Sequence, residues 1–185
     1  MQSIQTVSEN TIYVGASDRR LAKFENLFPI PRGVSYNAYV ILDEKTALLD
    51  TADASVGAQF LENVAAALDG RKLDYLIVDH MEPDHAAMIE AVLVRWPDLR
   101  LVVNAKTLPM LKMYFPTDNA AIDDALVVKE GDTLDLGKHK LTFVMAPMVH
   151  WPEVMMTFDT TTGTLFSADA FGTFVPWRVP CSLMR

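Results

Sequence analysis

The stretch LIVDHMEPDHAAMIEAV, residues 76–92, decides how this chain is read. Leu76-Ile77-Val78 is a short apolar run of the kind that forms a strand covered on both faces. From Met88 onward, Met88, Ile89, Val92, Leu93 and Trp96 recur at helical spacing until Pro97 stops them. The loop between strand and helix carries His80, Glu82, Asp84 and His85, four metal-competent side chains within six residues. Pro83 stiffens that loop, and a strand-to-helix turn anchored on a rigid sheet can aim alternate residues into one cleft.

Upstream, VSYNAYVIL (34–42) alternates Val34, Tyr36, Ala38, Val40 and Leu42 on one face. It then turns through Asp43-Glu44-Lys45 into Ala47-Leu48-Leu49-Asp50, which predicts a β-hairpin. Residues 55–68 place Phe60, Leu61, Val64, Ala65 and Leu68 on one helical face, with Gly70 where a left-handed C-cap residue is wanted. Downstream come a strand at Leu101-Val102-Val103 and a short helix to about Tyr114. Strands are then expected near 126–128, 133–136, 140–146, 154–158 and 164–167, with Gly131, Gly137 and Gly163 between them. A βαβ-rich first half followed by antiparallel hairpins predicts two packed sheets with helices outside, an αββα sandwich.

Composition narrows the function classes. The chain has 185 residues, half of them hydrophobic, which suits one domain with a real core. A net charge of -8 with no Lys/Arg run excludes a nucleic-acid binder that works by displacing counterions from phosphates. The N-terminus has no signal-peptide pattern and no stretch offers about 18 consecutive apolar residues, so a cytoplasmic protein without a membrane partner is expected. The single cysteine, Cys181, allows neither an internal disulfide nor a cysteine-built metal site.

Two further polar residues end strand-like runs: His150 in APMVH and Asp169 in LFSAD. Taken singly, each candidate reads as an ordinary loop side chain. Together they say more, because three of the four histidines fall in or directly after such runs. Carboxylates converging in a partly buried cleft repel one another, and without a cation their desolvation costs several kcal/mol each. A bound metal resolves that conflict. His139, in GKHK, reads as a surface turn histidine; Met145, Met148, Met155 and Met156 read as core filler, and Trp151 as packing.

The pattern HxExDH at 80–85, HWPE at 150–153, SADAFG at 167–172 and YVGASDRRLAKFENLFPIPRGVSYNAYVI at 13–41 resembles the flavodiiron branch of the metallo-β-lactamase superfamily. The likeness runs from residue 11 to residue 174 nearly without gaps. It implies a metallo-β-lactamase-like αββα sandwich over 1–174, incomplete in its C-terminal half, with no flavodoxin-like domain. By position it implies that His80, Glu82, His150 and Asp169 hold one iron and Asp84 and His85 the second, with Asp169 bridging. Hydrolytic members of the superfamily have histidine where this chain has Glu82; the exchange of a borderline nitrogen for a hard anionic oxygen favours iron over zinc. Asp50 is placed by the same fold resemblance as an outer partner of a ligating histidine.

The resemblance further implies a non-haem diiron oxidoreductase that reduces O2 to water or NO to N2O with electrons from FMN. In the family the FMN sits on a head-to-tail partner subunit, and a rubredoxin-like or flavin donor reloads it. Two departures matter. Ala86-Ala87 replace a small polar residue and glycine, and no histidine follows 150, where the family draws a further ligand for its second iron. With the second site incomplete and no FMN bound by the chain itself, this chain alone is expected to be inactive. A zinc-dependent hydrolase of the same fold is the rival reading.

The likeness stops after Phe174. Residues 175–185, VPWRVPCSLMR, are read as a frameshifted tail: back-translated with one G restored, they can spell GALAGSLFADE, close to the GAL-x-G-x-LFADE with which flavodiiron-like sequences continue.

Overall fold

The computed structural model describes residues 3–115 and 120–176, so most of the tail read as frameshifted lies outside the described residues. In chain order the elements are β1 (Gln5–Ser8), β2 (Thr11–Tyr13), β3 (Ala16–Asp18), β4 (Lys23–Phe24), β5 (Phe28–Pro29), β6 (Val34–Tyr36), β7 (Tyr39–Leu42), β8 (Thr46–Leu49), α1 (Gly57–Leu68) and β9 (Tyr75–Ile77). Then follow α2 (Pro83–Ala86), α3 (Ile89–Arg95), β10 (Arg100–Asn104), α4 (Thr107–Tyr114), α5 (Ala120–Asp123), β11 (Leu126–Val128), β12 (Thr133–Asp135), β13 (Lys140–Met145), β14 (Met155–Asp159) and β15 (Thr164–Phe166).

Seven strands form one sheet in the order β1-β2-β7-β8-β9-β10-β11, antiparallel as far as β8 and parallel from β8 to β11. A second, antiparallel sheet has the order β12-β13-β14-β15, which leaves β15 as an edge among the described residues. The period-2 alternation of the strands sorts their side chains into two apolar layers. Val40, Leu48, Leu76, Val78, Leu101 and Val103 turn to the helix side, where Phe60, Val64 and Leu68 of α1 and Ile89 and Val92 of α3 cover them. Ile41, Ala47, Leu49, Ile77 and Val102 turn the other way, onto Leu134, Leu141, Phe143, Met155 and Phe166 of the second sheet. The central strands read as unbroken apolar runs because both their faces are buried.

Four local readings need correction. VSYNAYVIL is two strands: β6 pairs with β3 in a separate ribbon, and β7 enters the main sheet between β2 and β8. Alternation continues across the break, so periodicity cannot register the change of partner. Helix α1 ends on Asp69 in the left-handed region, one residue before Gly70, which is also left-handed. His139 is only 1% exposed, with Nδ1 donating to Asp159 Oδ2 at 2.8 Å, because the β12–β13 turn folds down onto Asp43 and the end of β14. Met148 is 70% exposed, in the loop that leaves β13, whereas Met155 is fully buried between the sheets.

Backbone approach is close near the cavity described below. A Cβ on Gly15 would lie 1.9 Å from the carbonyl oxygen of Tyr36, so only glycine lets the chain between β2 and β3 pass β6 there.

Candidate metal centre

The polar candidates gather at one rim of the sandwich, because the strands that carry them end there. Parallel β8 and β9 deliver Asp50 and then Asp79, His80 and Glu82. Glu82 is the N-cap of α2 in an extended conformation and Pro83 takes the first helical position, so the chain turns into the helix just where Asp84 and His85 are needed. From the opposite sheet, the β13–β14 connection brings His150 and the segment after β15 brings Asp169.

All six residues expected from the sequence meet, in two groups that share one member. His80, Glu82, His150 and Asp169 form the first, and Asp84, His85 and Asp169 the second; within each, the ligand atoms lie within 4.8 Å of one another. In the first, His150 Nε2 is 2.7 Å from Glu82 Oε2 and 3.2 Å from Asp169 Oδ2. His80 Nε2 lies 3.2 Å from Glu82 Oε2 and 3.5 Å from Asp169 Oδ2. In the second, His85 Nε2 is 2.8 Å from Asp169 Oδ1 and 3.7 Å from Asp84 Oδ2. The two oxygens of Asp169 thus face different groups.

Electrostatics show a cluster held together by protons. Burial alone would depress the His80 imidazole, but its hydrogen bonds to Glu153 and Glu82 outweigh burial and raise it to about 9. His85 is likewise raised well above its ordinary value, with Asp169 and Asp50 overriding burial. Burial works against the Asp169 carboxylate, yet the hydrogen bond from His85 and the charges around it hold it down at about 2. Asp84 is pushed up to about 6, mainly by burial, and its Oδ1 is buried without a hydrogen-bond partner. An orphaned carboxylate oxygen beside imidazoles and a second carboxylate fits a cation of the hard or borderline kind, bound through nitrogen and oxygen without sulfur.

That charge pattern predicts a pH dependence of metal uptake. A metal bound through His80 would have to displace its proton, so the affinity of the first group should rise with pH up to about 9. The metal-free protein should show the opposite trend. The stability contributed by a raised His80 is full below its ordinary 6.5 and is lost as pH climbs through about 9. Competition titrations at several pH values measure the first effect; a flat profile would remove His80 from the ligand set.

The ring of His80 lies 5.1 Å from that of His85 and 5.4 Å from that of Trp151, so Trp151 borders the site as well as filling space. A cavity of about 430 Å³ opens over Glu82, His85, His150 and Asp169, with Phe24, Phe28 and Phe174 on its wall. Asp50 stands where an outer partner was expected: its Oδ2 accepts from His85 Nδ1 at 3.0 Å and its Oδ1 from the backbone N–H of Asp79 at 2.7 Å. Two buried acids were missed. Glu153 lies 2.7 Å from His80 Nδ1, and Asp79 accepts from the Thr157 hydroxyl at 2.8 Å. Glu153 was visible only as the last letter of HWPE, and no spacing rule ties it to His80.

Comparison with known proteins agrees with this architecture. The family described as "ODP family beta lactamase" matches residues 34–184. The anaerobic nitric oxide reductase flavorubredoxin of Klebsiella pneumoniae is 38% identical over 170 residues, 90% of this chain and 34% of that protein. Rubredoxin oxygen:oxidoreductase from Desulfovibrio gigas superposes with a TM-score of 0.89 at 29% identity, over 98% of this chain and 46% of that one. The flavodiiron protein of Giardia intestinalis does so with 0.87 at 26%, over 99% and 44%. The chain therefore spans about a third of the length of the curated relatives it matches. From the matched family, the shared fold and the solved relatives, this chain belongs to the ODP beta lactamase family and corresponds to the metallo-β-lactamase-like domain of flavodiiron proteins.

Proposed function

We propose that this chain supplies the iron-binding half of a diiron oxidoreductase that reduces O2 to water or NO to N2O. The observation that carries the reading is the sharing of Asp169 between two donor groups, one of which contains Glu82 in place of an imidazole. Two iron ions held side by side would bind the diatomic substrate and pass it electrons received from FMN. His80, Glu82, His150 and Asp169 would hold one ion; Asp84, His85 and Asp169, a set with fewer donors, would hold the other. Asp169 fixes the spacing between the two sets, and the buried Glu82 keeps compensating charge at the first.

The cavity wall favours an apolar electron donor. Phe24 and Phe28 lie 5.0 and 6.1 Å from Phe174 at the cavity mouth, and Phe28 is half exposed. A flat isoalloxazine ring from a partner subunit, itself reloaded by a rubredoxin-like protein, suits such a surface. Among the described residues no helix is long and apolar enough to cross a membrane.

The test is anaerobic loading with ferrous iron followed by addition of an FMN-bearing donor domain, with O2 and NO consumption as the readout. Zinc uptake with hydrolysis of ester or thioester substrates, and no gas consumption, would replace this reading by that of a metal-dependent hydrolase. The ligand argument makes a separate prediction for Glu82→His. Restoring a nitrogen there should shift the bound metal from iron towards zinc in a competition assay, by about 10-fold or more. Unchanged preference would show that the hardness of Glu82 is not what selects the metal.

A further inference from the structure

We infer that Glu153 is the positioning residue of His80, and that its charge, rather than its bulk, sets the metal affinity of the group to which His80 belongs. The inference rests on the metal-binding reading above and concerns a residue to which that reading gives no part.

The geometry is that of a carboxylate seated behind an imidazole. His80 and Glu153 are both fully buried as side chains, and His80 Nδ1 lies 2.7 Å from Glu153 Oε1. The same oxygen accepts the backbone N–H of Met81 at 3.0 Å, so one atom fixes both the ring and the chain beside it. Glu153 is anchored in turn. Its carbonyl accepts from Asn104 Nδ2 at 2.5 Å, and Asn104 Oδ1 takes the N–H groups of Lys106 and Thr107 where β10 gives way to α4. With Nδ1–H donated to a carboxylate, the imidazole tautomer is set and the Nε2 lone pair is aimed at the atoms of Glu82 and Asp169.

The other oxygen separates a charge role from a merely structural one. Glu153 Oε2 is buried and has no hydrogen-bond partner. A buried carboxylate left half satisfied is costly, and a turn needing only an acceptor for His80 and Met81 would be served as well by an uncharged amide. The charge has a use if a cation binds at the far side of the His80 ring, where the carboxylate makes the imidazole a stronger donor. The arrangement is repeated at the second group, where Asp50 backs His85. Within the two groups, each buried imidazole has its own carboxylate, reached from a different strand end, whereas His150 is more than half exposed.

The experiment uses the full chain, stripped of metal and titrated anaerobically with ferrous iron, and in parallel with cobalt(II), whose visible absorption reports ligand geometry. Glu153→Gln keeps the shape and the acceptor oxygen but removes the charge. It should weaken binding at the first group by about 10- to 100-fold and alter the cobalt spectrum, in addition to whatever stability the metal-free protein loses when the charged partner of His80 is neutralised. Asp50→Asn should weaken the second group instead. Glu153→Asp, which keeps the charge on a shorter arm, should bind more tightly than Glu153→Gln while still shifting the spectrum. If Glu153→Gln does not fold, an unshifted spectrum in Glu153→Asp overturns the proposal by itself. Wild-type affinity and spectrum in Glu153→Gln would also overturn it. His80→Ala separates this from failure of the metal reading. If that variant binds like wild type, or wild type takes up no metal, the ligand assignment falls and the inference with it. If His80→Ala loses the metal and Glu153→Gln does not, only the positioning role falls.

Discussion

Asp169→Ala is expected to empty both metal groups, whereas Asp84→Ala should empty only the second. Asp169 presents Oδ2 to His80 and His150 and Oδ1 to His85, so its removal takes one donor from each group at once. Asp84 belongs to the second group alone. The remaining charges sharpen the difference. In the metal-free state Asp169 is held ionised at about 2 by the histidines around it, so those histidines lose a shared counter-charge when it goes. Iron per chain after anaerobic loading and desalting measures the outcome: near-complete loss in Asp169→Ala, and about half in Asp84→Ala. Equal losses in the two variants would remove the shared role of Asp169.

Phe143→Ala should remove about 3–5 kcal/mol of stability, a large share of the roughly 5–15 kcal/mol that holds a domain folded. Phe143 is fully buried in the apolar layer between the sheets, among the residues that face Ile77 and Val102. Truncating it leaves a void that neighbouring strands, pinned by their ladders, cannot close. Val94 supplies the contrast: on α3 it is 77% exposed, and Val94→Ala should stay within about 0.5 kcal/mol of wild type. Urea denaturation of the metal-free protein compares the two, and equal costs would show that this layer is not the core. The effect reaches the site as well, because β13 leads directly into the connection that carries His150 and Glu153. Saturating metal should therefore recover part of the lost stability in Phe143→Ala by mass action.

Much of this candidate site was legible because its candidate ligands are crowded along the chain. His80, Glu82, Asp84 and His85 lie in one loop, and local turn chemistry alone places them together. His150 and Asp169 could be added because each follows an apolar run, and strand ends are where a sandwich builds its rim. Glu153 and Asp79 could not be added. Each sits beside a ligand or motif residue, but its partner belongs to a distant element: His80 for Glu153, and Thr157 on β14 for Asp79. His139 was misread for the same reason, since a turn between two strands is exposed unless something distant covers it, here Asp43 and Asp159.

By itself the sequence determined most strands and helices from residue 34 onward, though not β1 to β5, α2 or α5, that both faces of the strand at 76–78 are buried, and which loop carries the metal-competent cluster. These follow from periods of 2 and 3.6 and from the punctuation of Pro and Gly, all of which act over a few residues. Only the tertiary structure decided that β6 and β7 go to different sheets, which oxygen of Asp169 faces which group of candidate residues, that His85 is the histidine Asp50 stands behind, and that Glu153 stands behind His80. Each of those depends on sheet order and on the register of strands far apart in sequence. A residue's periodic neighbourhood states which face it occupies; the packing of two sheets states what it meets there.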